Sequence, residues 1–167
     1  MRLERGDIWD RLNRKYHIVI PVNVGWSRDG KNIMGKGLAK EAKLRYPACD
    51  IWLGEEQEFL FQSDPRIKDE DPRWIMQYPF GPLVFFPTKS LDREKPWHSW
   101  AYPSKYETIE SLLTAFPAWA AERKLERVAF PLLGAGNGKL DPIKVKDLIM
   151  TRLKDQPEYV LVTPIYI

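Results

Sequence analysis

The chain has 167 residues, 44% apolar and 29% charged, with a formal net charge of +3. That length and balance suit one globular domain, and the small positive excess fits an anionic ligand without arguing for nucleic acid by itself. One cysteine excludes an internal disulfide, and with only two histidines there is no Cys/His set for structural zinc. The first residues lack the apolar stretch of a secretory signal, and no apolar run is long enough for a bilayer, so the expectation is a cytoplasmic protein with no membrane contact.

In chain order, residues 17–22 are a β-branched apolar run and read as a buried strand. Residues 23–37, rich in Gly, Asn, Asp and Ser, form a loop, and residues 38–46 have helical spacing stopped by Pro47. Residues 55–73 are polar with Pro65 and Pro72 as breakers, which predicts a surface excursion. Residues 74–78 and 83–86 predict two strands of a hairpin, followed by a loop over 88–103. Ser104 and Glu107 have capping-box spacing, and the helix they open carries Ile109, Leu112, Leu113, Phe116 and Trp119, with Pro117 expected to kink or break it. Residues 127–133 predict another buried strand and 134–140 a glycine loop. Asp141-Pro142 reads as an N-cap with proline at the first helical position, and residues 159–167 close the chain as a strand that Pro164 marks as an edge or a bend.

Strands alternating with helices argue an α/β layered fold, with ligand at the carboxyl ends of the strands. Two loops there are rich in glycine. Gly30 to Lys36 nearly matches the phosphate-loop pattern of nucleoside triphosphatases, but Gly37 stands where a hydroxyl should hold magnesium, which removes that reading. The second loop, Gly134-Ala135-Gly136-Asn137-Gly138-Lys139, is not the dinucleotide fingerprint, because Lys139 sits at the third glycine position. Bare backbone amides before a helix still favour phosphate, so two such loops together predict a diphosphate cradle.

Arg5-Gly6-Asp7-Ile8, Val22-Asn23, Met34-Gly35-Lys36-Gly37-Leu38-Ala39 and Pro131-Leu132-Leu133-Gly134-Ala135-Gly136-Asn137-Gly138-Lys139-Leu140-Asp141, in this order and spacing, resemble the macro domain family over nearly the whole chain. Phe86-Pro87-Thr88-Lys89 is similar to the strand-end lysine segment of the branch that holds the DarG antitoxins and the human terminal ADP-ribose protein glycohydrolase. The resemblance implies one macro domain over residues 1–167, with a three-layer α/β/α architecture around a central mixed sheet. It implies ADP-ribose as ligand, Asp7 and Ile8 at the adenine, and Asn23 at the distal ribose. Met34, Gly35, Lys36, Gly37 and Leu38 would hold the diphosphate together with Gly134, Ala135, Gly136, Asn137 and Gly138. It further implies Lys89 as the catalytic residue of an ADP-ribosyl hydrolase that needs neither cofactor nor metal.

Gly138 occupies the apparent position of a loop aspartate that assists catalysis in the human enzyme, which favours the DarG-like variant. That variant implies removal of ADP-ribose from thymidine in DNA, and the chain is expected to be a monomer. Three alternatives stay open: a non-catalytic reader of ADP-ribose, a hydrolase of ADP-ribose on acidic protein side chains, and one acting on ADP-ribose 1″-phosphate. The stretch Trp97-His98-Ser99-Trp100 reads as loop packing or as a base-stacking surface. No counterpart of the toxin-binding extension of the DarG antitoxins is evident, so a DarG-like catalytic domain here need not imply a complete antitoxin.

Overall fold

The computed structural model describes residues 1–164. Six strands form one mixed sheet: β1 (Arg2–Arg5), β2 (His17–Asn23), β3 (Met76–Gln77), β4 (Leu83–Lys89), β5 (Val128–Phe130) and β6 (Tyr159–Thr163). Their order is β1-β6-β5-β2-β4-β3. All neighbours pair in parallel except β3 and β4, which form the predicted hairpin with Met76 opposite Phe85 and Gln77 opposite Val84. The four helices are α1 (Gly37–Arg45), α2 (Cys49–Ser63), α3 (Tyr106–Glu122) and α4 (Pro142–Arg152).

Period-two alternation sends the side chains of β2, β4, β5 and β6 to two separate cores. Val19, Val84, Phe86, Val128, Phe130 and Leu161 pack with Ile109, Leu112, Leu113 and Phe116 of α3 and Val145 and Ile149 of α4. Ile18, Ile20, Leu83, Phe85, Ala129 and Val160 pack on the other face with Ala42 of α1, Cys49 and Leu53 of α2, and the 3-10 turn Ile8–Arg14. This is the expected three-layer α/β/α arrangement around a mixed sheet. A smaller cluster of Val24, Trp26, Ile67, Trp74 and Leu91 lies beside it.

Several local expectations are corrected. The polar stretch after residue 54 is not all surface excursion: its first part completes α2, a 15-residue helix. The breakers Pro65 and Pro72 come after that helix ends, and its buried face includes Gly54 and Gln57, which hydropathy does not count as core. Pro117 lies inside an unbroken α3, because Phe116, Trp119 and Ala120 keep both sides of the proline packed against the core. Strand β4 runs on to Lys89, beyond the expected loop start. Strand β5 ends at Phe130, three residues before the expected end at Leu133. Strand β6 pairs on both sides, so it is interior and not an edge, and Pro164 follows its end. The remainder of the expected last strand, residues 165–167, lies outside the described residues.

The capping box at the start of α3 does not form either. Lys105 holds the cap position with no side-chain cap bond, and the Ser104 amide donates instead to Gly138 O at 3.0 Å. By contrast, Asp141 caps α4 as expected, accepting from the Ile143 amide at 2.9 Å with proline in the first turn. Among the described residues no helix is long and apolar enough to cross a membrane.

Gly54 marks the tightest approach between α2 and the loop after β2. A Cβ there would collide with the Gly30 carbonyl oxygen and lie 2.6 Å from the Asn32 nitrogen. Gly54→Ala is expected to destabilise the protein by about 1–3 kcal/mol through overpacking, read as a lower urea midpoint at unchanged slope.

Candidate functional site

Parallel pairing sends the carboxyl ends of β1, β6, β5, β2 and β4 to one side of the sheet. Asp7 follows β1, the second glycine loop follows β5, the first follows β2, and Lys89 ends β4. Neighbouring strands lie about 4.8 Å apart, so the four intervals from β1 to β4 separate Asp7 from Lys89 by about 19 Å across the sheet. The site is therefore elongated, and suits an extended ligand.

At the β2 end, the pairing with β4 slips: Val22 faces Pro87, yet Asn23 faces Lys89. The slip sets Asn23 and Lys89 side by side. Asn23 is 7% exposed, and its amide nitrogen donates to Ile33 O at 3.0 Å. Beneath it lies a knot of buried amides. Gln57, fully buried in α2, donates to Asn23 O at 3.0 Å and accepts from the Gly25 amide at 3.1 Å. The Asn32 amide nitrogen lies 2.9 Å from Asn23 O, 3.0 Å from Gly25 O and 3.1 Å from Gln57 Oε1.

The knot holds the first loop in place. Met34 is buried against Cys49, whereas Gly35, Lys36 and Gly37 are exposed. Gly37 opens α1 at φ 59°, and Lys36 makes no side-chain cap, so the first amides of the helix are bare. The second loop turns at Gly134, φ 72°, and closes with Leu140 N donating to Gly134 O at 3.0 Å. The two loops meet: a Cβ at Gly37 would lie 3.6 Å from the Asn137 amide nitrogen. Gly35 and Gly136 have open space where a side chain would be.

A cleft of about 500 Å³ runs between Asp7, Ile8, Leu38, Ala135 and Gly136, and extends to Pro131, Pro142 and Val162. It thus joins the start of the chain to both loops. Asp7 is exposed there, with one carboxylate oxygen accepting from the Trp9 amide at 3.0 Å. Asn23 and Lys89 are not part of this lining; they lie beyond the loops at the next strand ends. Another hollow, of about 460 Å³ beside Trp52, Phe59, Met76 and Arg123, contains none of the predicted site residues.

Lys89 is partly buried, and its Nζ donates to Trp100 O at 2.7 Å. Its pKa is lowered, first by burial and then by the positive charges of Lys139 and Lys36, one from each loop. One lysine from each loop therefore acts electrostatically on the lysine that ends β4. Cys49 has the opposite character: burial pushes its thiol up to about 11, so it stays protonated and unreactive.

Pattern reading missed Gln57, Asn32 and Ser104. Gln57 and Asn32 stand in polar stretches, and only the fold reveals that they are 0% and 2% exposed. Ser104 is buried under the second loop with no hydrogen-bond partner for its hydroxyl among the described residues.

No protein-family model matches the chain. Its fold is similar to that of the macrodomain of Mycobacterium tuberculosis DarG, with a TM-score of 0.68 and 25% identity over 97% of each chain. It is also similar to the macrodomain of Thermus aquaticus DarG, with a TM-score of 0.65 and 25% identity, covering 98% of this chain and 96% of the other. Thermosipho africanus DarTG in complex with ADP-ribose shares the fold at a TM-score of 0.73 and 19% identity, covering 100% of this chain and 43% of that one. Taken with the paired loops at the strand ends, these likenesses define a macro domain. Among curated proteins the chain is 29% identical over 133 residues to the DNA ADP-ribosyl glycohydrolase of Thermus aquaticus, covering 73% of this chain. It is 29% identical over 139 residues to that of Mycobacterium tuberculosis, covering 75%. Together the relatives and the solved structures support a macro domain of the DarG branch. It spans 31% and 33% of the lengths of those two curated relatives.

Gly138 has no room for a side chain, because a Cβ would collide with Ser104 Oγ and with Gly134 O. Gly138→Ala is expected to cost about 1–3 kcal/mol of stability and to broaden the amide NMR signals of residues 134–140. An unchanged melting curve together with unchanged signals would overturn this account of the loop.

Proposed function

We propose that this chain binds ADP-ribose and removes it from thymidine bases in DNA, with Lys89 as nucleophile. The reading is carried by one observation: a partly buried lysine level with Asn23, beside one lysine from each glycine loop. The names of the curated relatives support the reaction class.

In this reading Asp7 and Ile8 meet the adenine in the cleft. The bare amides of residues 34–38 and 134–138 hold the diphosphate, which lies at the positive end of α1. Lys36 and Lys139 balance its charge. Asn23, held by Ile33 O and the buried amides, presents its side-chain carbonyl to the distal ribose. That places C1″ of the ribose before Lys89.

Catalysis requires the neutral amine. Burial and the two neighbouring cations favour that form by lowering the pKa. Once Nζ has bonded to C1″ it carries a surplus proton, and this proton goes to the leaving base nitrogen. The Nζ lone pair forms a bond to C1″ as the bond from C1″ to that nitrogen breaks, and the nitrogen keeps the electron pair. Water then adds at C1″, releasing ADP-ribose and restoring the amine. The Trp100 carbonyl, which accepts from Nζ, fixes the direction of attack.

The test is release of ADP-ribose from an oligonucleotide ADP-ribosylated on thymidine. Lys89→Ala is expected to lose about 100-fold or more in kcat while keeping its affinity for free ADP-ribose within a few-fold. Tight ADP-ribose binding by the wild-type protein without release would instead make it a reader.

The pH dependence has a definite sign. The rate should rise with pH through the lowered pKa of Lys89. Removing a neighbouring positive charge in Lys139→Gln raises that pKa towards the ordinary lysine value, so the ascending limb of kcat should move to higher pH. An unmoved limb would mean that another group titrates.

A further inference from the structure

Residues 91–103 leave the site beside Lys89 and carry Trp97, His98, Trp100 and Tyr102. Trp100 and Tyr102 are each 47% exposed. Large aromatic rings left in water on a mobile loop would be unremarked, but this loop is held firmly. Ser99 is fully buried, and its hydroxyl accepts from the Asp92 amide at 2.9 Å. Asp92 accepts from the Glu94 and Lys95 amides at 3.1 and 3.0 Å with one oxygen, and from the Tyr102 hydroxyl at 2.8 Å with the other. The 3-10 turn Pro96–Ala101 sits so close to the chain after β2 that a Cβ at Gly25 would collide with Pro96 O and lie 2.8 Å from Ser99 Oγ. The rings are therefore presented from a fixed base.

Position and charge narrow what they present to. Trp100 O is the acceptor of the Lys89 amine, so this surface begins at the reacting group. The guanidinium of Arg28 lies 5.7 Å from the centre of the Trp97 ring, adding a cation on one face of that ring. Lys36 and Lys139 act electrostatically on Lys89, so further positive charge accompanies the group at which this surface begins. The exposed rings of Trp100 and Tyr102 and the half-buried ring of Trp97, with Arg28 over Trp97, Lys89 against the Trp100 carbonyl and the Asp92 carboxylate bonded to Tyr102, suit successive bases and phosphates of a single nucleic-acid strand: each base has a face to stack, and the cations meet phosphate charge. A base inside a duplex offers neither its face nor its linkage, so the strand must be single or locally opened.

We infer that Trp97, Trp100 and Tyr102 form a stacking surface for the nucleotides that flank the modified base on a single DNA strand. This rests on the DNA reading of the same site proposed above. It makes the loop a substrate-binding element separate from the ADP-ribose cleft, whose lining contains none of these residues.

The double variant Trp97→Ala/Tyr102→Ala is compared with Trp97→Phe/Tyr102→Phe, which keeps both rings. Each is tested on a single ADP-ribosylated thymidine nucleoside and on a short oligonucleotide carrying one such thymidine at its centre. Binding of unmodified oligothymidylate is followed by fluorescence anisotropy. For the alanine variant, KM for the oligonucleotide is expected to rise about 10- to 100-fold with kcat held. The nucleoside should be hydrolysed as by the wild type, and the phenylalanine variant should restore most of the oligonucleotide binding. An unchanged oligonucleotide KM overturns the inference, and so does an equal loss on both substrates, which would mark a structural role. Release from neither substrate by the wild type would sink the DNA reading. Anisotropy would then decide the surface separately: oligothymidylate binding that the alanine variant loses supports it, and no binding by the wild type overturns it.

Discussion

Gln57 ties helix α2 to the end of strand β2, and the geometry of the site depends on that tie. A primary amide buried without partners would be strongly unfavourable. Here both ends are used: the nitrogen on Asn23 O, the oxygen on the Gly25 amide and within reach of the Asn32 amide. Every one of these partners belongs to the chain leaving β2. The helix therefore fixes where that chain turns, and Gly54, one helical turn before Gln57, allows it to lie against the helix without a gap. The first glycine loop is accordingly ordered by the interior of the protein, and ligand binding need not supply that order.

The electrostatics complement this rigidity. Lysines from three separate segments feel one another's charge where Lys89 ends β4. Such a grouping is unfavourable in a protein without an anionic ligand, and a diphosphate reverses the sign of the local field. Binding would remove the like-charge part of the Lys89 shift. The larger part, burial, would remain and would deepen as a ligand covered the amine. In the proposed reaction the lysine would thus depend mainly on its strand-end setting for its reactivity, with its neighbours mainly engaged in holding the substrate. Cys49, under the opposite face of the sheet, shows how burial alone leaves a nucleophile inert when burial favours the protonated form.

Much of this was legible in the chain because it is written in short-range chemistry. Apolar runs gave β2 and β4, Asp141-Pro142 gave the start of α4, and glycine spacing gave both loops. The failures share a cause. Gln57, Asn32 and Ser104 act through partners distant in sequence, and their polarity reads as exposure when only neighbours are considered. The helix around Gln57 was missed for the same reason, since Gly54 and Gln57 replaced the apolar residues expected on its inner face. Ser104 had the right spacing for a helix cap, but a closer partner in space, the Gly138 carbonyl, claimed its backbone amide. The interior position of β6 depends on the strand order, which no local pattern encodes.

The slip in register between β2 and β4 gives Lys89 an address counted in residues. Phe85 and Phe86 send their rings into opposite cores, and the pairing then skips a position before Asn23 meets Lys89. Removing one residue between Leu83 and Lys89 would exchange the two faces or carry the amine away from the asparagine. Substitutions along this strand can be absorbed one side chain at a time, but changes in its length cannot. Among diverging copies of such a domain, the spacing between the hairpin turn and the lysine should therefore outlast the identities of the residues in between.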